Sequence, residues 1–209
     1  ELDAAEFLQK VRSGEPLSGY ILRKADLSGQ NFRGRDLSGF LLEEIDLQGA
    51  DLRETTLSGG YGISINFEGA NLSGATLHEA GFDKCNFSKT DFSEARFTNT
   101  QFSETNLSQS SFSGSIFKGG GFDRCLLEKT RFHKAHLTAC SFQETPLTET
   151  LFEKTALLRL SLPGENLAGI SLSGCDLTDT DFSDAILTEA NLSECQAKEA
   201  NFTRADLKN

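Results

Sequence analysis

Between Leu22 and Leu207 every fifth residue forms one register, and Leu or Phe fills 36 of its 38 positions. Only Gly62 and Ala197 depart, and no insertion shifts the register. With the Leu or Phe position called i, position i−2 is Ala, Cys, Ser, Thr or Gly in 29 of 37 cases between 25 and 205. The other three positions are polar: i−1 is often Asp or Asn, i+1 Ser or Thr, and i+2 Gly, Glu or Lys. A period of five fits neither a helix nor an ordinary strand. It requires a chain that turns every few residues and returns above itself. Positions i and i−2 then point inward, and the remaining three face water. Gly at i+2, as in Gly29, Gly39 and Gly74, suits a turn with positive φ.

Ahead of the repeat, Leu2 to Val11 reads as a short amphipathic helix. Asp3 is its cap, Ser13-Gly14 its stop, and Phe7, Leu8 and Val11 its apolar face. A repeat stack exposes its first coil, so this helix is expected to act as a lid. Residues 1–16 are therefore read as capping helix and linker, and 17–209 as the repeat domain.

At this point the chain resembles the pentapeptide-repeat family, whose unit is written A(D/N)LXX. Ala50-Asp51-Leu52, Ala70-Asn71-Leu72, Ala190-Asn191-Leu192, Ala200-Asn201-Phe202 and Ala205-Asp206-Leu207 match it directly. The resemblance implies an all-β fold, a right-handed quadrilateral parallel β-helix with four repeats per coil. About nine coils at a strand spacing of about 4.8 Å would make a rod roughly 43 Å long. Residues 20 apart become vertical neighbours. Phe82, Phe102, Phe122 and Phe142 should then stack in one interior file.

The same rule exposes two irregularities. One outward column begins Ile21, Leu41, Tyr61, with Ile63 beside Tyr61 in the repeat whose i position is Gly62. The Gly62 repeat suggests a bulge or a deformed coil. Either the capping helix or the segment 61–65 folds over the stripe, or Ile21, Leu41, Tyr61 and Ile63 form a patch for a protein partner. Farther on, Pro146, Pro163, the large Leu160 at i−2 and Glu165 at an interior position predict a distorted coil near 157–166.

Net charge is −11, which argues against direct nucleic-acid binding. The charge is uneven: net −5 over residues 1–77, +1 over 78–137 and −7 over 138–209. Lys118, Arg124, Lys129, Arg131 and Lys134 form the basic waist. All five cysteines (85, 125, 140, 175 and 195) sit at i−2, among small residues that fit a tight interior site, so buried thiols are expected and a cytoplasmic location follows. No apolar run approaches the roughly 18 residues of a membrane span, and no signal segment opens the chain. A chain without an initiator Met that stops inside its repeat suggests a domain excised from a larger protein, an end-to-end homodimer through the last coil, or an exposed edge that is simply tolerated.

No catalytic constellation and no cofactor site emerge. His133 and His136, with Glu153 one coil above, form the best metal candidate and are read as surface histidines. The leading expectation is a non-enzymatic structural or protein-interaction module. The resemblance implies a specific version, since similar repeat blocks occur in larger bacterial proteins, some encoded in type VI secretion gene clusters. The alternative it implies is a DNA mimic that binds DNA gyrase, of the quinolone-resistance or immunity type. Duplex DNA carries a charge per about 1.7 Å, so a rod of this length would need about 25. This chain falls short of that, and lacks the projecting loops and C-terminal dimer helix of the quinolone-resistance members.

Overall fold

The computed structural model describes residues 1–208; Asn209, the last residue of the predicted repeat domain, lies outside the described residues. Helix α1 spans Ala4–Ser13. Its start is a capping box: Asp3 Oδ1 accepts the Glu6 N–H at 2.8 Å, and Glu6 Oε2 accepts the Asp3 N–H at 2.9 Å. Gly14 ends it at φ 74°. Leu2, expected in the helix, instead donates its N–H to the Ile21 carbonyl at 2.8 Å and extends the sheet edge. Phe7 and Val11 are buried, and the Phe7 ring meets Phe32 edge-on at 6.5 Å. The helix therefore covers the end of the core, as a lid does.

The rest is a parallel β-solenoid. Strands β1 (Leu22–Arg23), β2 (Leu41–Glu43), β3 (Tyr61–Ile63), β4 (Thr76–His78), β5 (Gly81–Asp83), β6 (Arg96–Ser103), β7 (Ile116–Asp123), β8 (His136–Thr138), β9 (Ser141–Gln143) and β10 (Ala156–Leu158) all pair in parallel at a register of 20 residues. Isolated bridges at the same spacing join most of the remaining repeats. Four five-residue repeats thus make one coil. The strands span about seven turns, slightly fewer than the expected nine coils, because the repeats after β10 are tied by single bridges.

Most repeats are bonded in one way. The i and i+2 N–H groups donate to the coil above, as Leu27 to Asp46 at 2.7 Å and Gly29 to Gln48 at 2.9 Å. The i−1 N–H donates to the coil below, as Asp46 to Ala25 at 3.0 Å. The i+1 N–H goes to the Asp or Asn at i−1, as Ser28 to Asp26 Oδ1 at 2.9 Å, which explains the acidic or amide residue there. Most Thr and Cys residues at i−2 donate to the carbonyl 23 residues earlier, as Thr130 to Leu107 at 2.7 Å and Cys125 to Phe102 at 3.4 Å. This stitch satisfies a polar group in an apolar interior.

The phenylalanine file is present: Phe82–Phe102, Phe102–Phe122 and Phe122–Phe142 stack at 5.5, 5.4 and 5.0 Å. It is one of several, for Phe92, Phe112, Phe132 and Phe152 form another.

Two local expectations are corrected. The repeat at Gly62 holds no bulge; β3 pairs in register with both β2 and β5. Gly62 instead vacates its interior place because larger i−2 residues fill it. A Cβ on Gly62 would lie 2.5 Å from Ile65 Cδ1, and one on Gly60 would lie 1.9 Å from Phe40 Cδ1. The Phe40 ring reaches within 5.9 Å of Phe82, across the coil that Gly62 belongs to.

The distortion expected at 157–166 lies elsewhere. Strand β10 is regular, and Arg159, Leu162 and Gly164 donate normally to the coil above. The break is between the coil of residues 141–153 and the coil of 161–173. None of the N–H groups of Phe142, Glu144, Leu147, Glu149 and Phe152 reaches a carbonyl above, and none of Ser161, Asn166 and Ser171 reaches one below. The bridges that would pair 141 with 161, 146 with 166 and 151 with 171 are missing. The fourth face holds: Asp176 donates to Thr155 at 3.1 Å and Leu157 to Asp176 at 2.7 Å. Pro163 is harmless at i+1, the N–H that the ladder does not use. Pro146, at i−1, removes a ladder donor, and a cleft of about 120 Å³ opens beside it between Leu127 and Thr148.

Candidate functional site

The four residues singled out in the sequence come together. Leu41 in β2 is directly opposite Tyr61 in β3, and Tyr61 opposite Gly81 in β5. Ile21 stands one coil below Leu41, and Ile63 projects on the adjoining column between Glu43 and Asp83. Ile21, Leu41, Tyr61 and Ile63, with Arg23 and Glu43, line one shallow depression of about 150 Å³. None of the described residues folds over it. Helix α1 lies over the end of the core, Ile65 turns inward, and Leu41 and Tyr61 are 36% and 44% exposed. Gly81 forms a seat for the tyrosine: a Cβ there would sit 2.6 Å from Tyr61 Cδ2. The ring is thus laid against the next strand while its other face remains open. Arg23 and Glu43 pair at the rim, with Glu1 3.7 Å from Arg23.

Other outward apolar side chains are more scattered. Ile116, Leu126, Leu151 and Ile186 are exposed, and all occupy i−1. Leu126 lies at the Pro146 cleft. The column rule that finds Ile21, Leu41 and Tyr61 finds these too, but none continues over three coils.

Charges alternate in sign from coil to coil along one column. Lys84 and Arg124 flank Glu104 at 3.9 and 3.3 Å, and Arg204 lies 2.6 Å from Asp184. His133 is 3.8 Å from Glu153, whereas His136 belongs to β8 on the next face. Among the described residues no three potential ligands gather around a metal position, and no helix is long and apolar enough to cross a membrane.

The cysteines are free; four are buried and Cys195 is half-buried. Burial pushes the thiols of Cys85, Cys140 and Cys175 up to about 12 and that of Cys125 up to about 11. Thiolate is therefore scarce at neutral pH. A thiol reagent at pH 8 should label at most one cysteine rapidly in the native state, Cys195 first, and all five after denaturation. Rapid native labelling of several would contradict the interior placement.

Family models for pentapeptide repeats match three stretches: the pentapeptide repeat region matches residues 63–132, and the eight-copy pentapeptide repeat matches 21–59 and 166–204. The chain belongs to the pentapeptide-repeat family. Within the family fold, the solved structure of full-length QnrB1, a plasmid-mediated fluoroquinolone resistance protein, superposes with a TM-score of 0.60 at 19% identity, covering 85% of this chain and 93% of that one. HetL, a pentapeptide-repeat protein involved in heterocyst differentiation regulation from the cyanobacterium Nostoc, matches at 19% identity over 98% of this chain and 97% of its own, with a TM-score of 0.44. No curated protein sequence matches the chain. In this pentapeptide-repeat protein the family matches skip residues 133–165, which hold the Pro146 cleft and the lower side of the interrupted ladder.

Proposed function

We propose that this pentapeptide-repeat protein is a non-enzymatic structural and protein-interaction module that binds a protein partner through Ile21, Leu41, Tyr61 and Ile63. The observation that carries the reading is the open stripe itself: three apolar side chains in register over consecutive coils, with the Tyr61 ring seated on Gly81. An aromatic ring held in one orientation loses little freedom on binding, and its hydroxyl offers a hydrogen bond beside apolar area. The rim pair of Arg23 and Glu43 supplies polar contacts of both signs. The setting proposed is the cytoplasm, which suits five free thiols. The module is of the kind that serves as a repeat domain in larger bacterial proteins, including those associated with type VI secretion.

The gyrase-mimic reading has weaker support. Likeness to QnrB1 at 19% identity concerns the fold. A mimic needs a continuous acidic stripe, whereas here acids alternate with Lys84, Arg124 and Arg204 along the axis. Unchanged gyrase supercoiling at micromolar protein is the expected result; potent inhibition would reverse the ranking.

Tyr61→Glu should leave stability within about 0.5 kcal/mol, as befits an exposed side chain. Used side by side as baits, the wild-type chain should retain a protein that the variant loses, and the purified partner should bind the first and not the second. Equal retention by both, or unfolding of the first coils by the substitution, overturns the proposal.

A further inference from the structure

The interrupted ladder between residues 141–153 and 161–173 has several independent causes. Position i−2 in the upper coil is Leu160, Glu165 and Ile170, where the rest of the solenoid mostly has small residues. These three cannot make the stitch to the carbonyl 23 residues earlier that Thr145, Thr155, Cys175 and Thr180 make. Leu160 and Ile170 are buried and so hold volume between the coils. No glycine compensates for them, as Gly60 and Gly62 compensate for Phe40 and Ile65. A void of about 10 Å³ remains in the core there, lined from below by Phe142, Leu147 and Phe152 and from above by Leu162, Leu167 and Leu172. The solenoid is fully bonded again above it: Leu162, Leu167, Leu172 and Leu177 all donate to the next coil.

We infer that this seam is a hinge: the rod is two hydrogen-bonded blocks, residues 17–153 and 161–208, joined along the face of β10, and the seam opens and closes while both blocks stay folded. The bonds from Asp176 to Thr155 and from Leu157 to Asp176 form the axis. The three other faces carry no backbone bond to resist rotation, except near the axis, where Lys154 donates to Ser173 at 3.0 Å. Backbone groups at the mouth of the seam belong to exposed residues, Glu144, Glu149, Ser161 and Ser171 among them, so water can satisfy them. The apolar side chains inside favour the closed form, and among the described residues the one side-chain bond across the three open faces, from the Cys175 thiol to the Phe152 carbonyl at 2.8 Å, lies beside the axis. The inference is independent of the stripe, which lies in the first block.

Native-state hydrogen exchange on the full chain, read by mass spectrometry, tests it. The amides that face the seam, those of Phe142, Glu144, Leu147, Glu149, Phe152, Ser161, Asn166 and Ser171, should exchange at least about 100-fold faster than those at 97–122 and 181–196, because local opening exposes them without global unfolding. Uniform protection along the rod would overturn the hinge. A second measurement uses Thr145→Cys with Glu165→Cys, vertical neighbours across the seam. Mild oxidation should join them, since a moving seam brings the pair together. The joined form should slow exchange at Leu147, Phe152, Asn166 and Ser171 by at least about 10-fold, and reduction should reverse it. Failure to join, or slowing confined to the stapled corner, would show a static gap instead.

Discussion

Phe102→Ala should destabilise the fold by about 3–5 kcal/mol, the cost of removing a large ring from a core that cannot collapse around the hole. The ring is fully buried. It stacks between Phe82 at 5.5 Å and Phe122 at 5.4 Å, and Phe87 and Phe97 pack against it from neighbouring files. Those neighbours are held by backbone bonds on both sides of their coil, so relaxation into the cavity is limited. Denaturant unfolding of the wild type and variant measures the difference. A cost near zero would mean that the coil does not contain four repeats, since only that register puts the four rings in one file.

The second large effect runs against the repeat's own grammar. Gly62→Leu restores one of the two residue types, Leu and Phe, that fill 36 of the 38 i positions, yet it should destabilise by about 1–3 kcal/mol. The Phe40 ring and the Ile65 side chain already occupy the space, and even a Cβ at 62 would lie 2.5 Å from Ile65 Cδ1. Phe40→Ala vacates part of that space. It should therefore cost less in the Gly62→Leu background than in the wild type, and a double-mutant cycle measures the coupling. If Gly62→Leu stabilises, the exchange of volume between positions 40 and 62 is not the reason for the glycine.

These two substitutions mark what could be read from the amino acids and what could not. The coil follows from spacing alone, because an uninterrupted period of five with two interior positions leaves few ways to bury Leu and Phe. Vertical alignment then places Ile21, Leu41 and Tyr61 on one face, and the site was legible to that extent. Whether the chain covers them was not, since it depends on where α1 comes to rest. Gly62 looked like a defect because its compensation comes from the other interior position, from Ile65 against it and from the Phe40 ring of the coil below. The seam was half legible. Leu160 and Glu165 were visible as misfits, but the damage falls on the boundary below their coil and not on the residues themselves, while Pro146 opens its cleft on the boundary below that one. Thr and Cys at i−2 looked merely small. Their stitching to a carbonyl 23 residues back shows only in three dimensions, and it makes the loss of these residues at 160–170 costly.

The turn at i+2 has a consequence for how such a rod stays in solution. Position i+2 adopts positive φ in nearly every repeat, and among the described residues 24 of those that do so are not glycine. Each L-residue held there gives up on the order of 1 kcal/mol relative to glycine. Most are Lys, Arg, Glu or Asp, including Glu104, Arg124, Asp184 and Arg204, which carry the alternating ion pairs. Replacing them all by glycine would relax the backbone and strip away much of the charge that keeps two long parallel sheets from adhering face to face. The strained turns are therefore where the molecule trades conformational ease for dispersal in water, and the corners of the rod act as its antifouling coat.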